Sequence, residues 1–294
     1  MWPAFRRTKT TWRRCRGPDF RRRGRTGQPP GGHGRQTLVA KPDFIELGDG
    51  TRLPILYEDR SALAVDKPAG WLLVPADWRQ TSRNLQAALE SSLAAGAYWA
   101  RSRNLRFVRY VHRLDAETSG VLLLARSEGA LRALSRLFAC RAVEKRYLAV
   151  VRGTPRSARW TCRLPLRAPA GGGEPARVDP RHGQPAETGF RVLATNTTPL
   201  FGPVTLLEAR PLTGRTHQVR AHLAAGGHPV LGDTLYGGAE CIAGLGLRAV
   251  GLAYRDPFTH RLVRVTAPEE GFLHRFGFEV LRPAPAARSA AGPR

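Results

Sequence analysis

Residues 112–126 read HRLDAETSGVLLLAR, a short polar segment that runs directly into an apolar run long enough for a strand. Polar side chains that a rigid sheet presents on a loop are a common setting for catalysis. Asp115 follows two basic residues, which favour its ionised form and would let it act as a nucleophile or a base. The alternative is a plain turn, with Asp115 as a cap and Ser119-Gly120 as the bend. These residues alone favour neither interpretation.

Seven apolar runs of strand length occur along the chain, and several are bounded by Pro or Gly turns. The predicted strands lie at residues 62–65, 121–125, 147–151, 190–193, 204–209, 249–254 and 262–265. They outnumber the helical patterns, which fall between them. We therefore predict an α+β fold, with a mostly antiparallel mixed sheet and flanking helices and loops.

Two helices are predicted from capping residues and apolar spacing. Asn84 caps the first, which runs to about residue 95 with leucines on one face. Ser127 caps the second, whose inward face carries three leucines and a phenylalanine within residues 131–138. Both helices are expected to pack their apolar faces against the sheet.

The stretch 212–223 reads LTGRTHQVRAHL, and it predicts a third helix that begins near Thr216 and ends at glycines 226–227. Its polar side chains form a dense donor cluster that suits a phosphate or a carboxylate. The donors are Arg215, His217, Gln218, Arg220 and His222. The two histidines would diverge by about 140° on a helix of ~3.6 residues per turn, and no acid lies close in sequence. We therefore predict no metal.

The chain has 294 residues with 47 basic and 23 acidic side chains, a formal net charge of +24. Such an excess predicts a polyanionic partner and salt-dependent binding. An arginine-rich composition inherited from a GC-rich genome would give the same charge. The four cysteines form no C-x-x-C pair, and no apolar run reaches about 18 residues, the length of a membrane span. We expect a cytoplasmic protein.

Composition divides the chain into three parts. Residues 1–40 are rich in Arg, Gly and Pro with one acid, so we expect a disordered arm. That arm either binds RNA loosely or lies upstream of the true start, since Met1 is the only methionine. Residues 41–282 form the predicted globular domain, and residues 283–294 a disordered tail.

The two polar stretches together resemble the RluA family of RNA pseudouridine synthases. The HRLD-x-x-TSG motif corresponds to residues 112–120, and the TGRTHQ-x-R motif to residues 213–220. Further family-like stretches, in the family's order, are VDKPAG at 65–70, RAVEKRYLAVVRG at 141–153 and GQPAET at 183–188. The resemblance implies an isomerase that cleaves a uridine from its ribose within RNA and rejoins it through carbon. It implies no cofactor.

The resemblance also implies roles for single residues. Asp115 matches the catalytic aspartate, Tyr147 the tyrosine that stacks on the target base, and Arg220 the arginine that pairs with the aspartate. Arg113 matches the arginine implicated in filling the space that the flipped base leaves. The hydroxyl of Tyr147 is the expected acceptor of the C5 proton. The expected RNA-contacting residues are Lys67, His112, Arg113, Arg141, Lys145, Arg215, His217 and Gln218.

Other expectations concern neighbouring acids and the partner. Asp66 and Asp233 are predicted to be turn residues, and Glu117 to be structural. The expected partner is 23S ribosomal RNA or a tRNA stem-loop, bound by a monomer. The main alternative is a catalytically silent RNA-binding factor on the same fold, which would not require Asp115, Tyr147 and Arg220. A glycosidase would require two acids at the reacting bond, and the motifs offer Asp115 alone, which argues against that activity.

Overall fold

The computed structural model describes residues 40–73, 83–169, 174–238 and 240–279. The arm and tail predicted at the two ends lie outside these ranges, apart from Ala40. The strands are β1 (Phe44–Glu46), β2 (Arg52–Glu58), β3 (Ala62–Lys67), β4 (Arg109–Tyr110), β5 (Ser119–Ala125), β6 (Val143–Arg152), β7 (Arg159–Cys162), β8 (Leu166–Arg167), β9 (Arg177–Val178), β10 (Thr188–Thr198), β11 (Gly202–Pro211), β12 (Leu247–Arg255) and β13 (Leu262–Thr266). The helices are α1 (Leu85–Ala94), α2 (Tyr98–Arg101), α3 (Glu128–Ala139), α4 (Gln218–Ala225) and α5 (Glu270–Arg275).

Eleven of the described strands form one mixed sheet in the order β1-β2-β3-β5-β12-β6-β11-β10-β7, with β4 on β5 and β13 on β12. The pair β5–β12 is parallel, and the other pairs in the described sheet are antiparallel. Strands β8 and β9 pair separately. The mostly antiparallel mixed sheet and all seven predicted strands are confirmed. The short strands β1, β4, β7, β8 and β9, and the Pro-containing β2, were not predicted.

Side chains alternate across the sheet, and both faces are buried by helices. On β6, Ala149 and Val151 pack on the face that α4 covers, whereas Leu148 and Val150 pack beneath α5. Helices α1 and α2 cover the first face further along the sheet, and α3 covers the second. Tyr147 contacts both apolar clusters of the first face, so it lies where they meet.

The helix starts show why capping residues are informative. The side chains of Asn84 and Ser127 each accept a hydrogen bond of 3.1 Å from a backbone N–H in the first turn of α1 and α3, as predicted. Helix α4 begins at Gln218 instead of near Thr216, because His217 adopts a left-handed backbone conformation with φ 51°. Among the described helices, none has the length and apolar character needed to cross a membrane.

Candidate active site

The loop that carries Asp115 connects β4 to β5 and is held from below by Lys67. The Lys67 ammonium donates to the carbonyl oxygens of Pro68 at 3.0 Å, Ala116 at 2.9 Å and Thr118 at 2.9 Å. Thr118 N also donates to Asp115 O at 3.2 Å, which forms a turn over residues 115–118, whereas Ser119 and Gly120 begin β5 instead of forming the bend. Two of the three acceptors belong to the loop that carries Asp115. Lys67 therefore fixes the position of this loop relative to the sheet.

Lys67 is enclosed by the fold, and its predicted contact with RNA stays a prediction. Its side chain is 0% exposed, and its three donors are all taken by backbone carbonyls. Burial lowers the pKa of Lys67 to about 8, although the nearby charges of Glu117 and Asp115 oppose that shift. The sequence could not reveal this role, since a lysine in a turn is usually solvated.

Arg220 lies on α4 and contacts two carboxylates. Its Nη1 donates to Oδ2 of Asp115 at 3.3 Å, so the predicted ion pair is present. Its Nε and Nη2 each donate to one oxygen of Asp233 at 2.7 Å. Burial alone would lower the pKa of Arg220, but the hydrogen bonds and charges of Asp233 and Asp115 raise it above its usual value. The guanidinium also lies over the Tyr236 ring, 5.4 Å from its centroid.

Asp233 corrects a second prediction, because it is more than a turn residue. It is 0% exposed and binds Arg220 through two shorter hydrogen bonds than Asp115 makes. Glu117 is largely exposed, with Oε2 at 3.9 Å from Nη1 of Arg220. The site thus contains three acids around one arginine, where the motifs suggested one.

The second oxygen of Asp115, Oδ1, faces His217, whose Nε2 lies 3.9 Å away. The single proton of the Tyr236 hydroxyl is donated to Ala176 O at 2.9 Å, so its oxygen is an acceptor for Nδ1 of His217 at 3.3 Å. Burial lowers the pKa of His217, and the charge of Asp115 opposes that shift.

Tyr147 is half-buried on β6, on the same face of the sheet as Lys145 two residues earlier. Burial and the charge of Asp115 raise the pKa of Tyr147, which keeps the hydroxyl protonated. Lys145 donates to Thr213 O at 2.6 Å, and burial lowers its pKa to about 8. Lys145 therefore ties the strand of Tyr147 to the segment that leads into α4.

Two more residues that were predicted to contact RNA, His112 and Gln218, form hydrogen bonds within the fold, and their contact with RNA stays a prediction. Nε2 of His112 accepts from Leu123 N at 3.1 Å, and the ring stacks on Phe138 with 4.7 Å between centroids. Burial lowers the pKa of His112 to about 4, so it carries no charge to offer a phosphate. Gln218 is 4% exposed and hydrogen-bonds Thr213, Glu187 and Thr188. Both residues support the fold.

The remaining candidates lie nearer the surface. Arg113 and Arg141 are exposed, and Arg141 has a left-handed backbone with φ 56°. Arg215 is half-buried and donates to Pro185 O at 3.1 Å. These three arginines, with Lys145 and His217, stay predictions as RNA contacts.

Known proteins provide an independent comparison. Residues 61–225 match the family model described as RNA pseudouridylate synthase. The ribosomal large subunit pseudouridine synthase C of Salmonella typhimurium strain LT2 is 36% identical over 282 residues, covering 83% of each chain. The protein of the same name from Escherichia coli K12 is 35% identical over 273 residues, covering 80% of each chain.

Solved structures agree with this comparison. Human RNA pseudouridylate synthase domain containing 1 is similar with a TM-score of 0.58 at 30% identity, covering 74% of this chain and 83% of that one. Human RNA pseudouridylate synthase domain containing 4 has the same fold, with a TM-score of 0.58 at 23% identity. The class of protein is therefore an isomerase that acts on RNA. The chain belongs to the RNA pseudouridylate synthase family, in its RluA branch.

Proposed function

We propose that this chain converts uridine to pseudouridine in ribosomal RNA of the large subunit, with Asp115 as the reacting carboxylate. The relatives at 35–36% identity bear names that refer to the large ribosomal subunit, which favours ribosomal RNA over tRNA. The observation that carries the proposal is the geometry of Asp115: one oxygen is hydrogen-bonded to buried Arg220, and the other faces His217 at 3.9 Å.

The reaction requires an ionised carboxylate beside the ribose. The glycosidic bond breaks, the uracil turns, C5 bonds to C1′, and the proton on C5 leaves. Asp115 serves as a nucleophile on the sugar or as a base at C2′, and both routes require its anionic form. The hydrogen bond from Arg220 favours that form. The Asp115 side chain is 24% exposed, so a nucleotide can reach it.

The target base must leave the RNA stack, which costs roughly a few kcal/mol. Stacking on Tyr147 would recover about 1–3 kcal/mol. Its raised pKa means that Tyr147 reacts as a neutral phenol. To accept the C5 proton it must pass its own proton on, and Asp115, whose charge contributes to the raised pKa, is the suitable receiver.

RNA binding is supported by charge around this site. Arg113 and Arg141 are exposed, and the whole chain carries a formal net charge of +24. Arginine contacts with the phosphate backbone carry no base-edge readout, so we expect salt-dependent affinity and target choice by RNA shape. Arg113 lies two residues from Asp115 and is the candidate to occupy the space of the flipped base.

The test is tritium release from RNA labelled at uridine C5. Deproteinised large-subunit ribosomal RNA and total tRNA from cells that lack the gene are incubated separately with the purified chain. We expect release from the ribosomal RNA, matched by one or more pseudouridines that disappear in the deletion strain. Release from tRNA alone would contradict the substrate assignment, and release from neither would favour a silent RNA-binding factor.

A further inference from the structure

The turn that carries Asp233 is fixed firmly to the sheet. Leu231 N donates to Val150 O at 2.8 Å, and Gly238 N donates to Asp233 O at 2.8 Å. A Cβ at Gly238 would lie 2.5 Å from Val230 O, so a larger residue would force this turn open. Val150 belongs to β6, the strand that also carries Tyr147. The turn therefore holds Asp233 in a fixed position relative to Tyr147.

A fully buried carboxylate needs a reason to be retained. An apolar pair of similar volume would often be at least as stable as a buried ion pair, so the pair is weak evidence for a role in stability alone. Asp233 has both oxygens on Arg220, at 2.7 Å each. Both oxygens of Asp233 are therefore committed to Arg220, and any effect of Asp233 on the site passes through that arginine.

Arg220 divides its donors unequally. Nε and Nη2 are taken by Asp233, and Nη1 alone reaches Asp115, over a longer 3.3 Å contact. Two parallel hydrogen bonds hold a guanidinium in a fixed orientation relative to a carboxylate. Because Asp233 binds the Nε–Nη2 edge in this way, it fixes the orientation in which Nη1 reaches Oδ2 of Asp115. Oδ1 of Asp115 stays on the side of His217 Nε2, 3.9 Å away.

We propose that Asp233 is a positioning residue: it fixes the orientation of the Arg220 guanidinium, whose Nη1 then holds Oδ2 of Asp115 and leaves Oδ1 as the reacting oxygen. The inference rests on the proposed function of Asp115. Asp233 touches no substrate and acts through Arg220. Two carboxylates facing one guanidinium also leave a net negative charge, so Arg220 orients the reacting group without neutralising it.

The first test is Asp233→Asn, which keeps the shape but replaces one acceptor with an amide that cannot accept from Arg220. We expect kcat for tritium release to fall roughly 10–100-fold, as for a displaced catalytic group. KM and RNA affinity should stay within about 2-fold, because Asp233 is buried away from RNA. Glu58→Gln is the matched control. Glu58 is likewise paired with arginine, in its case Arg103 and Arg126 at the other end of β5, and its loss should leave kcat unchanged.

The second test separates positioning from general damage to the fold. If Asp233 acts through Arg220, the double variant Asp233→Asn with Arg220→Lys should have the kcat of Arg220→Lys alone. Independent, multiplying losses would overturn the inference. Should Asp233→Asn fail to fold in a thermal melt, Asp233→Glu keeps the charge but moves the guanidinium, and the same fall in kcat at constant KM is expected.

The outcomes are distinguishable from failure of the proposed function. Wild-type protein that releases no tritium from any RNA overturns the assignment of Asp115, and with it this inference. Active wild-type protein with wild-type kcat in both Asp233→Asn and Asp233→Glu overturns only the positioning role. A rise in KM at constant kcat would do the same, since it would assign Asp233 to RNA binding.

Discussion

Replacing Lys67 by Met should show how strongly the Asp115 loop depends on one buried ammonium. The substitution preserves length and removes three hydrogen bonds from a charged donor at 2.9–3.0 Å. Each such bond contributes roughly 1.5–3 kcal/mol. The desolvation cost of the ammonium, several kcal/mol, disappears at the same time and offsets part of the loss. We expect a net loss of about 2–4 kcal/mol in the free energy of unfolding.

This loss corresponds to a fall of roughly 5–15 °C in Tm for a domain of this size. Ala116 O keeps its hydrogen bond from Gly70 N at 2.8 Å, so the loop should shift and not unfold. A shift of Asp115 should lower kcat roughly 10–100-fold at temperatures where the variant is folded.

The assays are urea unfolding and single-turnover tritium release. Lys145→Met is the control, because Lys145 makes one hydrogen bond, to Thr213 O, and its loss should cost about 1 kcal/mol. Equal stability losses in the two variants, or a Lys67→Met variant with wild-type turnover, would refute the reasoning.

Three further predictions concern Tyr147, the half-buried His112 and the arginine-rich arm. Tyr147→Phe should retain stacking but stall after glycosidic cleavage, and an unchanged rate of tritium release would contradict the proton-transfer role. Burial lowers the pKa of His112 from 6.5 to about 4. As the pH falls from 6.5 to 4, the unfolded chain therefore binds a proton at His112 that the folded chain does not bind. Stability should therefore decline between pH 6.5 and 4, and His112→Gln should flatten that slope in urea titrations; parallel slopes would contradict it. Removing residues 1–36 should reduce the salt dependence of RNA affinity if the arm binds phosphate, whereas an identical slope would make the arm irrelevant.

Local signals in the sequence were enough for much of the fold. Apolar runs predicted seven strands, and Asn84 and Ser127 predicted two helix starts, because a strand pattern and a cap each depend on a few neighbouring residues. The short strands were missed since two to four residues offer too little periodicity to detect. The start of α4 was misplaced because the left-handed backbone of His217 is not visible in its side chain.

Contacts between distant segments explain what was missed in the site. Lys67 was predicted as an RNA contact, and its internal role was missed because its acceptors at Ala116 and Thr118 lie 49 and 51 residues further along the chain. Asp233 looked like a turn residue, and only the packing of its turn against β6 brings it to Arg220. The family motifs predicted the pair of Asp115 and Arg220, but they gave no indication that Asp233 also binds Arg220.

The most direct measurement is single-turnover pseudouridine formation in large-subunit ribosomal RNA by Asp115→Asn, beside Glu117→Gln. Both changes remove one carboxylate near Nη1 of Arg220, at 3.3 Å and 3.9 Å in the wild type. We predict no detectable product from Asp115→Asn with RNA affinity largely retained, and near wild-type product from Glu117→Gln. Pseudouridine formation by Asp115→Asn at the wild-type rate would contradict the account.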